Sequence, residues 1–242
     1  MPELEKRETQ TWLDMIRILT HEIMNSVSPI TSLAVSLSQV IHKKDNNKEK
    51  EDITEKARMK LNKGLITIQN RGEGLMGFVQ KYRKLNLIPP PKLSDCPVEK
   101  LFSEVIMLFQ DQLSRERIHL NIEIEPPDLT LLSDREQIEQ VLINLIKNAI
   151  QALENSEIRK ISLRAFLNAE NNVIINVIDS GIGIEKEFTG KIFIPFYSTK
   201  EDGDGIGLSL SRQIMLSHGG SISVNSVPGK GSIFILSFLQ KN

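Results

Sequence analysis

The stretch VIINVIDSGIGI, residues 173–184, decides how this chain is read. A mostly apolar run of strand length ends on a carboxylate, Asp179, and two glycines follow, Gly181 and Gly183. Apolar runs of this length bounded by glycine read as buried strands leading into turns. Glycines also let a backbone approach a ligand and expose its amides. A carboxylate at the strand end makes this turn as readily a binding element as a structural one. Two more glycine segments lie downstream. GDGIGLSLSRQIM (203–215) runs from a glycine loop into a helix, and SVPGKGSIF (226–234) runs from a glycine turn into a strand. A glycine loop feeding a helix N-terminus is a phosphate cradle, although each such segment alone is more often a turn than a site. No GxxxxGK[ST] occurs, so there is no Walker loop. GDGIGL follows no strand, which argues against a dinucleotide fingerprint.

Upstream, QVLINLIKNAIQAL (140–153) lies in a helix expected over 134–154, opened by Ser133 or Asp134 as N-cap. Val141, Leu142, Leu145, Ile146, Ala149 and Leu153 form its core stripe. Asn144 and Asn148 are one turn apart and share a face. An amide oxygen is a neutral, hard ligand suited to magnesium held partly by substrate phosphates. A solvated helix face carrying ordinary asparagines accounts for the pair equally well. Around this helix the pattern alternates. Helices are expected at 98–113 and 207–217, and strands at 118–124, 160–167, 172–179, 221–226 and 232–239. The expectation is an α/β sandwich with one mixed sheet and helices on one face.

The first part of the chain is different material. Trp12, Ile16, Leu19, Ile23, Val27, Ile30, Leu33, Leu37 and Val40 recur at steps of three and four, the mark of a long amphipathic helix. HKKDNNKEKED (42–52) has no apolar residue and reads as a loop. Ile53, Ala57, Leu61, Leu65, Ile68, Leu75, Val79 and Tyr82 mark a second helix. The two make an αα-hairpin. A lone hairpin cannot cover both apolar stripes, so pairing of two hairpins into a four-helix bundle is expected. NLIPPPKLSDCP (86–97) cannot continue a helix and reads as a stiff linker. The expected division is 1–88, a linker at 89–97, and 98–242.

Composition narrows the class. The 242 residues carry 30 Lys+Arg against 31 Asp+Glu, which argues against a strongly basic nucleic-acid binder. A single cysteine, Cys96, excludes an intrachain disulfide and a Cys-cluster zinc site. Nothing approaches the ~20 apolar residues of a membrane span, and MPELEKRETQTW is not a signal peptide. A cytoplasmic setting is expected for this stretch of chain.

The order of segments is more specific than any one of them. An Asn-bearing helix, DSGIGI, IFIPFYSTK (192–200), GDGIGLSLS and GKGS follow one another as the N, G1, F, G2 and G3 boxes do. Over about residues 98–242 the chain therefore resembles the ATP-binding domain of sensor histidine kinases, a Bergerat-type fold shared with gyrase-like ATPases. LTHEIMNSVSPI (19–30) then looks like the H box of that family. HEIxN with a following proline, together with QVLxNLxxNAxQAL, is most similar to the nitrogen-regulation type.

The resemblance implies an α+β chain: a phosphoacceptor hairpin in a dimeric four-helix bundle, then the ATP-binding sandwich. It implies ATP and Mg2+ as cofactors, phosphorylation of His21, and transfer to an aspartate of a response regulator receiver domain. Glu22 would hold or accept the proton on the second ring nitrogen of His21. Asn25, one turn on, would position water to hydrolyse the regulator's phospho-aspartate. Asn148 would coordinate Mg2+, and Asn144 and Lys147 would support the phosphates. Asp179, with Gly181, Gly183, Ile184 and Ser232, would hold adenine. Phe196, Ser198, Thr199 and Lys200 would belong to a short lid, with Lys200 reaching the terminal phosphates. The amides around Gly203, Gly205, Ile206, Gly207 and Leu208 would face those phosphates. The family commonly places a sensor, often membrane-bound, before the H box.

Three further expectations concern other residues. His42, His119 and His218 do not qualify as phosphoacceptors, and His218 helps to end a helix. Pro29 removes the helical partner of the Asn25 carbonyl, so a bend is expected below His21. Gly64, Gly72, Gly74 and Gly77 sit in the second helix, and a hairpin folded about residues 47–48 places residue 74 level with His21. Competing readings are a gyrase- or chaperone-like ATPase, an anti-sigma-type serine kinase and a degenerate dimerisation module. The first usually carries a glutamate four residues before the magnesium asparagine, where this chain has Asn144. The second lacks the His-bearing hairpin, and intact boxes argue against the third.

Overall fold

A computed structural model describes residue 20 and residues 23–39, 55–86, 88–198 and 205–239. The chain packs as two compact units, Met1–Asn86 and Leu87–Asn242. The first is a helical hairpin and the second is a mixed helix-and-sheet unit. Among the described residues no helix is long and apolar enough to cross a membrane.

In the first unit, helix α1 occupies residues 23–39 and helix α2 occupies Glu55–Asn86. Helix α1 continues through Pro29, so the missing amide is absorbed without a break in the helix. The helices meet where Leu37, buried, seats on Gly64. A Cβ on Gly64 would approach the Leu37 methyls to 2.8 Å, so the glycine is the hole for that leucine. This contact corrects the hairpin register. At 1.5 Å rise per residue it brings Asn25 level with about residue 76, some six residues further along than folding about residues 47–48 gives. Register follows where a large side chain finds a small one, not the midpoint of the loop.

Several stripe residues stay exposed in the single chain, among them Ile23, Val27, Leu65 and Val79. Met59, Ile66 and Met76 join them. At Gly72, Gly74 and Gly77 an added Cβ would meet nothing within 4 Å. Glycine inside a helix costs about 1 kcal/mol relative to alanine. The double substitution Gly72→Ala with Gly74→Ala should therefore stabilise the protein by up to about 2 kcal/mol. Thermal melting checks this, and an unchanged or lower midpoint would show that the glycines are filled in the assembled protein.

The second unit is built on a five-stranded sheet of order β2-β4-β5-β7-β6. Its strands are β2 (His119–Glu125), β4 (Lys160–Leu167), β5 (Val173–Asp179), β6 (Ser221–Val227) and β7 (Gly231–Phe238). Only β2 and β4 run parallel; the other pairs are antiparallel. Alternate residues Ile161, Leu163 and Ala165, Val173, Ile175 and Val177, and Phe234, Leu236 and Phe238 form the core face. On that face pack α3 (Val98–Met107), α5 (Arg135–Ala152) and α7 (Gly207–Ser217). From α5 come Ile138, Val141, Leu142, Leu145, Ile146, Ala149 and Ile150, which include most of the expected stripe.

Some elements differ from the pattern reading. The helix expected over 98–113 is two, α3 and α4 (Gln110–Arg115). The two are separated by a turn at Leu108 and Phe109, where φ of Phe109 widens to −110°, and both Phe109 and Leu113 are buried in the core. Residues 94–97, read as linker, form strand β1 (Ser94–Pro97), paired antiparallel with β3 (Thr130–Ser133). Neither strand of four was long enough to show an alternation. A short helix, α6 (Lys186–Thr189), was likewise below the length at which period is visible. Cys96 lies buried in β1, and burial pushes its thiol above the ordinary range.

Candidate functional site

The site is laid out along one face of α5. Asn144, Asn148 and Ala152 are successive turns of that helix, spanning about 12 Å. Each has a different neighbour. At Asn144 the start of α7 comes in. The Asn144 Nδ2 donates to Ser211 Oγ at 3.0 Å, and Ser211 Oγ donates to the Gly207 carbonyl at 3.0 Å. Gly207 lies so close that a Cβ there would fall within the Asn144 amide group. Any side chain at 207 would therefore displace the Asn144 amide or push the two helices apart. Ile206, immediately before, is buried and anchors the helix start, while Leu208 is half-buried against the core.

At Ala152, the other end, the DSGIGI turn comes in. The Ile182 amide donates to the Ala152 carbonyl at 3.2 Å. Asp179 is buried at the end of β5, and its Oδ1 accepts the Gly181 amide at 2.9 Å. Gly183 has φ +71°, a left-handed conformation that glycine adopts without cost. The turn is closed from β6 and β7. Ile184 donates its amide to Ser226 Oγ at 2.8 Å, and Gly229 donates to the Ile182 carbonyl at 2.7 Å. Ser232 stands opposite Asp179 in the β5–β7 register, with its hydroxyl 3.0 Å from that of Ser226.

Between these two ends sits Asn148, half-buried. Among the described residues its side-chain amide makes no hydrogen bond. Lys147 is exposed beside it. The arrangement offers a buried carboxylate at one end, helix-start amides at the other, and an uncommitted amide oxygen in the middle. Among the described residues no cluster of His, Cys, Asp and Glu could hold a metal alone. A cation here would rest on the Asn148 oxygen and on a ligand's own oxygens.

The lid base is partly described. Phe196 has φ +64°, rare for a non-glycine residue, and its amide donates to the Gly205 carbonyl at 2.7 Å. Residues 196 and 205 thus close the neck of the segment between them. The Phe188 and Tyr197 rings lie 6.3 Å apart, between α6 and the residue after Phe196. Ser198 is exposed.

Of the expected site residues, the structure brings together Asn144, Asn148, Asp179, Gly181, Gly183, Ile184, Gly205, Ile206, Gly207, Leu208 and Ser232, with Lys147 and Phe196 at the margin. His21, Glu22, Thr199, Lys200 and Gly203 lie outside the described residues. Asn25 is exposed on α1. Sequence reading missed Ser211 and Ser226, which hold Asn144 and the DSGIGI turn. The placement of Ser211 four residues after Gly207 in a helix was a usable signal; Ser226 gave none.

Comparison with known proteins agrees with this geometry. The family model described as histidine kinase-, DNA gyrase B- and HSP90-like ATPase matches residues 133–242. The chain is similar to the signal transduction histidine-protein kinase AtoS of Escherichia coli (strain K12), with 36% identity over 136 residues, covering 56% of this chain and 22% of AtoS. It is similar to the solved catalytic domain of histidine kinase ThkA, at 36% identity and TM-score 0.55, covering 61% of this chain and 95% of that domain. A crystal structure of ThkA in complex with response regulator protein TrrA aligns over 98% of this chain and 64% of that one, at 27% identity and TM-score 0.61. The chain spans 22% to 32% of the length of the first curated relatives it matches. On that family match and on the likeness to a solved histidine kinase catalytic domain, the chain belongs to the sensor histidine kinases with a Bergerat-type ATPase domain.

Proposed function

We propose that this chain uses ATP to phosphorylate its own His21 and passes the phosphoryl group to an aspartate of a response regulator. The observation that carries the reading is the ladder Asn144–Asn148–Ala152, with a helix start at one end and the Asp179 turn at the other. Its length of about 12 Å suits a nucleoside triphosphate laid along α5. Asp179 accepts the amino group of adenine. The amides at the start of α7 face the phosphates, where the helix dipole favours negative charge. Asn148 fits a magnesium ion, since its oxygen is a neutral hard donor with no hydrogen-bond partner among the described residues. Bound there, the ion would neutralise charge on the terminal phosphates. Asn144 would support the phosphates, and its bond to Ser211 also seats α7 on α5.

Phosphoryl transfer needs positioning and charge neutralisation more than covalent help from the protein. A neutral imidazole is nucleophilic near pH 7. One ring nitrogen of His21 attacks the γ-phosphorus, the bond to the β,γ-bridging oxygen breaks, and ADP leaves. Glu22 takes the proton from the other nitrogen. The receiver aspartate then displaces the imidazole. The complex of ThkA with TrrA supports a receiver domain as partner. The exposed apolar residues of α1 and α2 support a homodimer through the hairpin.

Asn25 is proposed to position water for hydrolysis of the regulator's phospho-aspartate. Asn25→Ala should slow dephosphorylation of a phosphorylated regulator by at least about tenfold while leaving autophosphorylation within about twofold. Unchanged phosphate loss would remove this role.

The deciding experiment for the kinase reading is incubation of the chain with γ-labelled ATP and Mg2+. Label that is acid-labile, alkali-stable and transferable to a receiver domain is expected. Steady phosphate release without label would instead favour a plain ATPase.

A further inference from the structure

The far ends of α5 and α7 are joined as closely as their site ends, by residues the mechanism does not use. Helix α7 runs antiparallel to α5, so its last turn lies beside the first turn of α5. His218, the C-cap of α7, sits there with both ring nitrogens engaged. Its Nδ1 lies 2.8 Å from the Ile214 carbonyl, which can only accept, so Nδ1 carries the proton. Its Nε2 then holds a lone pair and accepts the backbone amide of Asp134 at 3.1 Å. One neutral tautomer satisfies both bonds.

Asp134 is itself a hub. Its Oδ1 caps α5 by accepting the Gln137 amide at 3.3 Å, and its Oδ2 accepts the Lys92 amide at 2.9 Å. Gln137 in turn donates from Nε2 to the Pro89 carbonyl at 3.0 Å. Pro89 and Lys92 belong to the proline-rich segment that enters this unit from the hairpin side of the sequence. The segment, the first turn of α5 and the last turn of α7 therefore meet at one residue.

We propose that Asp134 and His218 are positioning residues for the phosphotransfer reaction. Together they latch α7 in register on α5 and tie that register to the proline-rich segment at Pro89 and Lys92. The site sits about 15 Å away along α5, where Gly207 must abut Asn144 within a fraction of an ångström. A helix held at both ends cannot slide or tilt, so the amides at its start stay aimed at the phosphates. Pulling the Lys92 amide off Asp134 frees the far end, and the aim is lost. The proposal rests on the ATP reading above.

The test separates the two bonds of His218. Asparagine can replace Nδ1, keeping the helix cap but not reaching Asp134. Glutamine can replace Nε2, keeping an acceptor for the Asp134 amide. In the full 242-residue chain, His218→Asn should weaken binding of a non-hydrolysable ATP analogue with Mg2+ by about five- to tenfold, the worth of one hydrogen bond at a rigid joint. Its kcat for autophosphorylation at saturating ATP should stay within about twofold, and His218→Gln should restore affinity. A residue that merely ends a helix gives the reverse ranking, with asparagine harmless and glutamine impaired, and that ranking would overturn the proposal. Lys92→Pro, which deletes the amide, should weaken binding more than Lys92→Ala; equal effects would remove the segment from the latch. If even the unaltered chain bound no nucleotide, the ATP reading would fall by itself. Amide exchange at Leu210, bonded to the Ile206 carbonyl near the site end of α7, then decides the latch in the nucleotide-free chain. Faster exchange in His218→Asn than in His218→Gln is expected, and equal rates would overturn it.

Discussion

A chain with His21→Ala should take up no acid-labile phosphate from γ-labelled ATP, a fall of at least about a hundredfold and limited by detection. Among the described residues no other histidine is equipped to substitute. His218 uses both ring nitrogens within the second unit, and its Nε2 lone pair is already taken by the Asp134 amide. His119 begins strand β2 in that same unit, with neither a carboxylate nor an asparagine following in the spacing of His21, Glu22 and Asn25. Nucleotide affinity of the variant should be unchanged, since the residues proposed to hold ATP belong to the second unit. Label persisting on the variant would place the phosphoacceptor elsewhere. Loss of label together with loss of nucleotide binding would show that the substitution had disturbed more than the acceptor.

Gly207→Ala should reduce nucleotide affinity by at least about tenfold and destabilise the second unit by about 1–3 kcal/mol, the usual range for overpacking. The added methyl has no room, because it would occupy the place of the Asn144 amide. Either Asn144 rotates away and gives up Ser211, or the start of α7 lifts off α5. The second response moves the amides proposed to face the phosphates, and the first removes the bond that seats them. The general effect of adding a methyl is controlled by Gly190→Ala. There φ is −79° and nothing lies within 4 Å of an added Cβ, so that variant should melt and bind like the unaltered chain. Calorimetric titration with the ATP analogue and thermal melting read both effects. A Gly207→Ala chain with normal affinity would mean that α7 does not present its amides to the ligand.

The size of that effect shows where binding strength resides. The chain has nearly balanced charge, and among the described residues the proposed cradle offers backbone amides and a neutral asparagine. Such a cradle depends on aim. A helix start displaced by an ångström loses several amide contacts together, whereas a flexible lysine would follow its target. On this reading the glycine at 207, the serine at 211 and the histidine at the opposite end of the helix act by holding the aim of the helix start.

Much of the molecule was legible before any coordinates. The strands at 160–167 and around 173–179 announced themselves as apolar runs, and helix 207–217 began where a glycine loop met a periodic segment. The site was legible as an order of short motifs, each weak, whose sequence along the chain is specific. Side-chain period and turn chemistry are local properties, so they survive in a one-dimensional reading. What failed was also local in scale. The four-residue strands β1 and β3 are too short to show a period, and the break at Phe109 depends on a core that Phe109 cannot see from its neighbours in sequence.

The sequence by itself determined the two kinds of material, the elements long enough to carry a period, and the chemical identity of the site groups. Only the tertiary structure decided how those groups are held. Leu37 seats on Gly64 and sets the hairpin register, six residues from where the loop midpoint pointed. Asn144, expected to support the phosphates, also donates to Ser211 and lies against Gly207. His218, read as a helix end, reaches across to the amide of Asp134, eighty-four residues away in the chain. These pairings join residues far apart in sequence through contacts of a few ångströms. No periodicity records such a contact, because it exists only once both partners have been brought to the same place by the packing of everything between them.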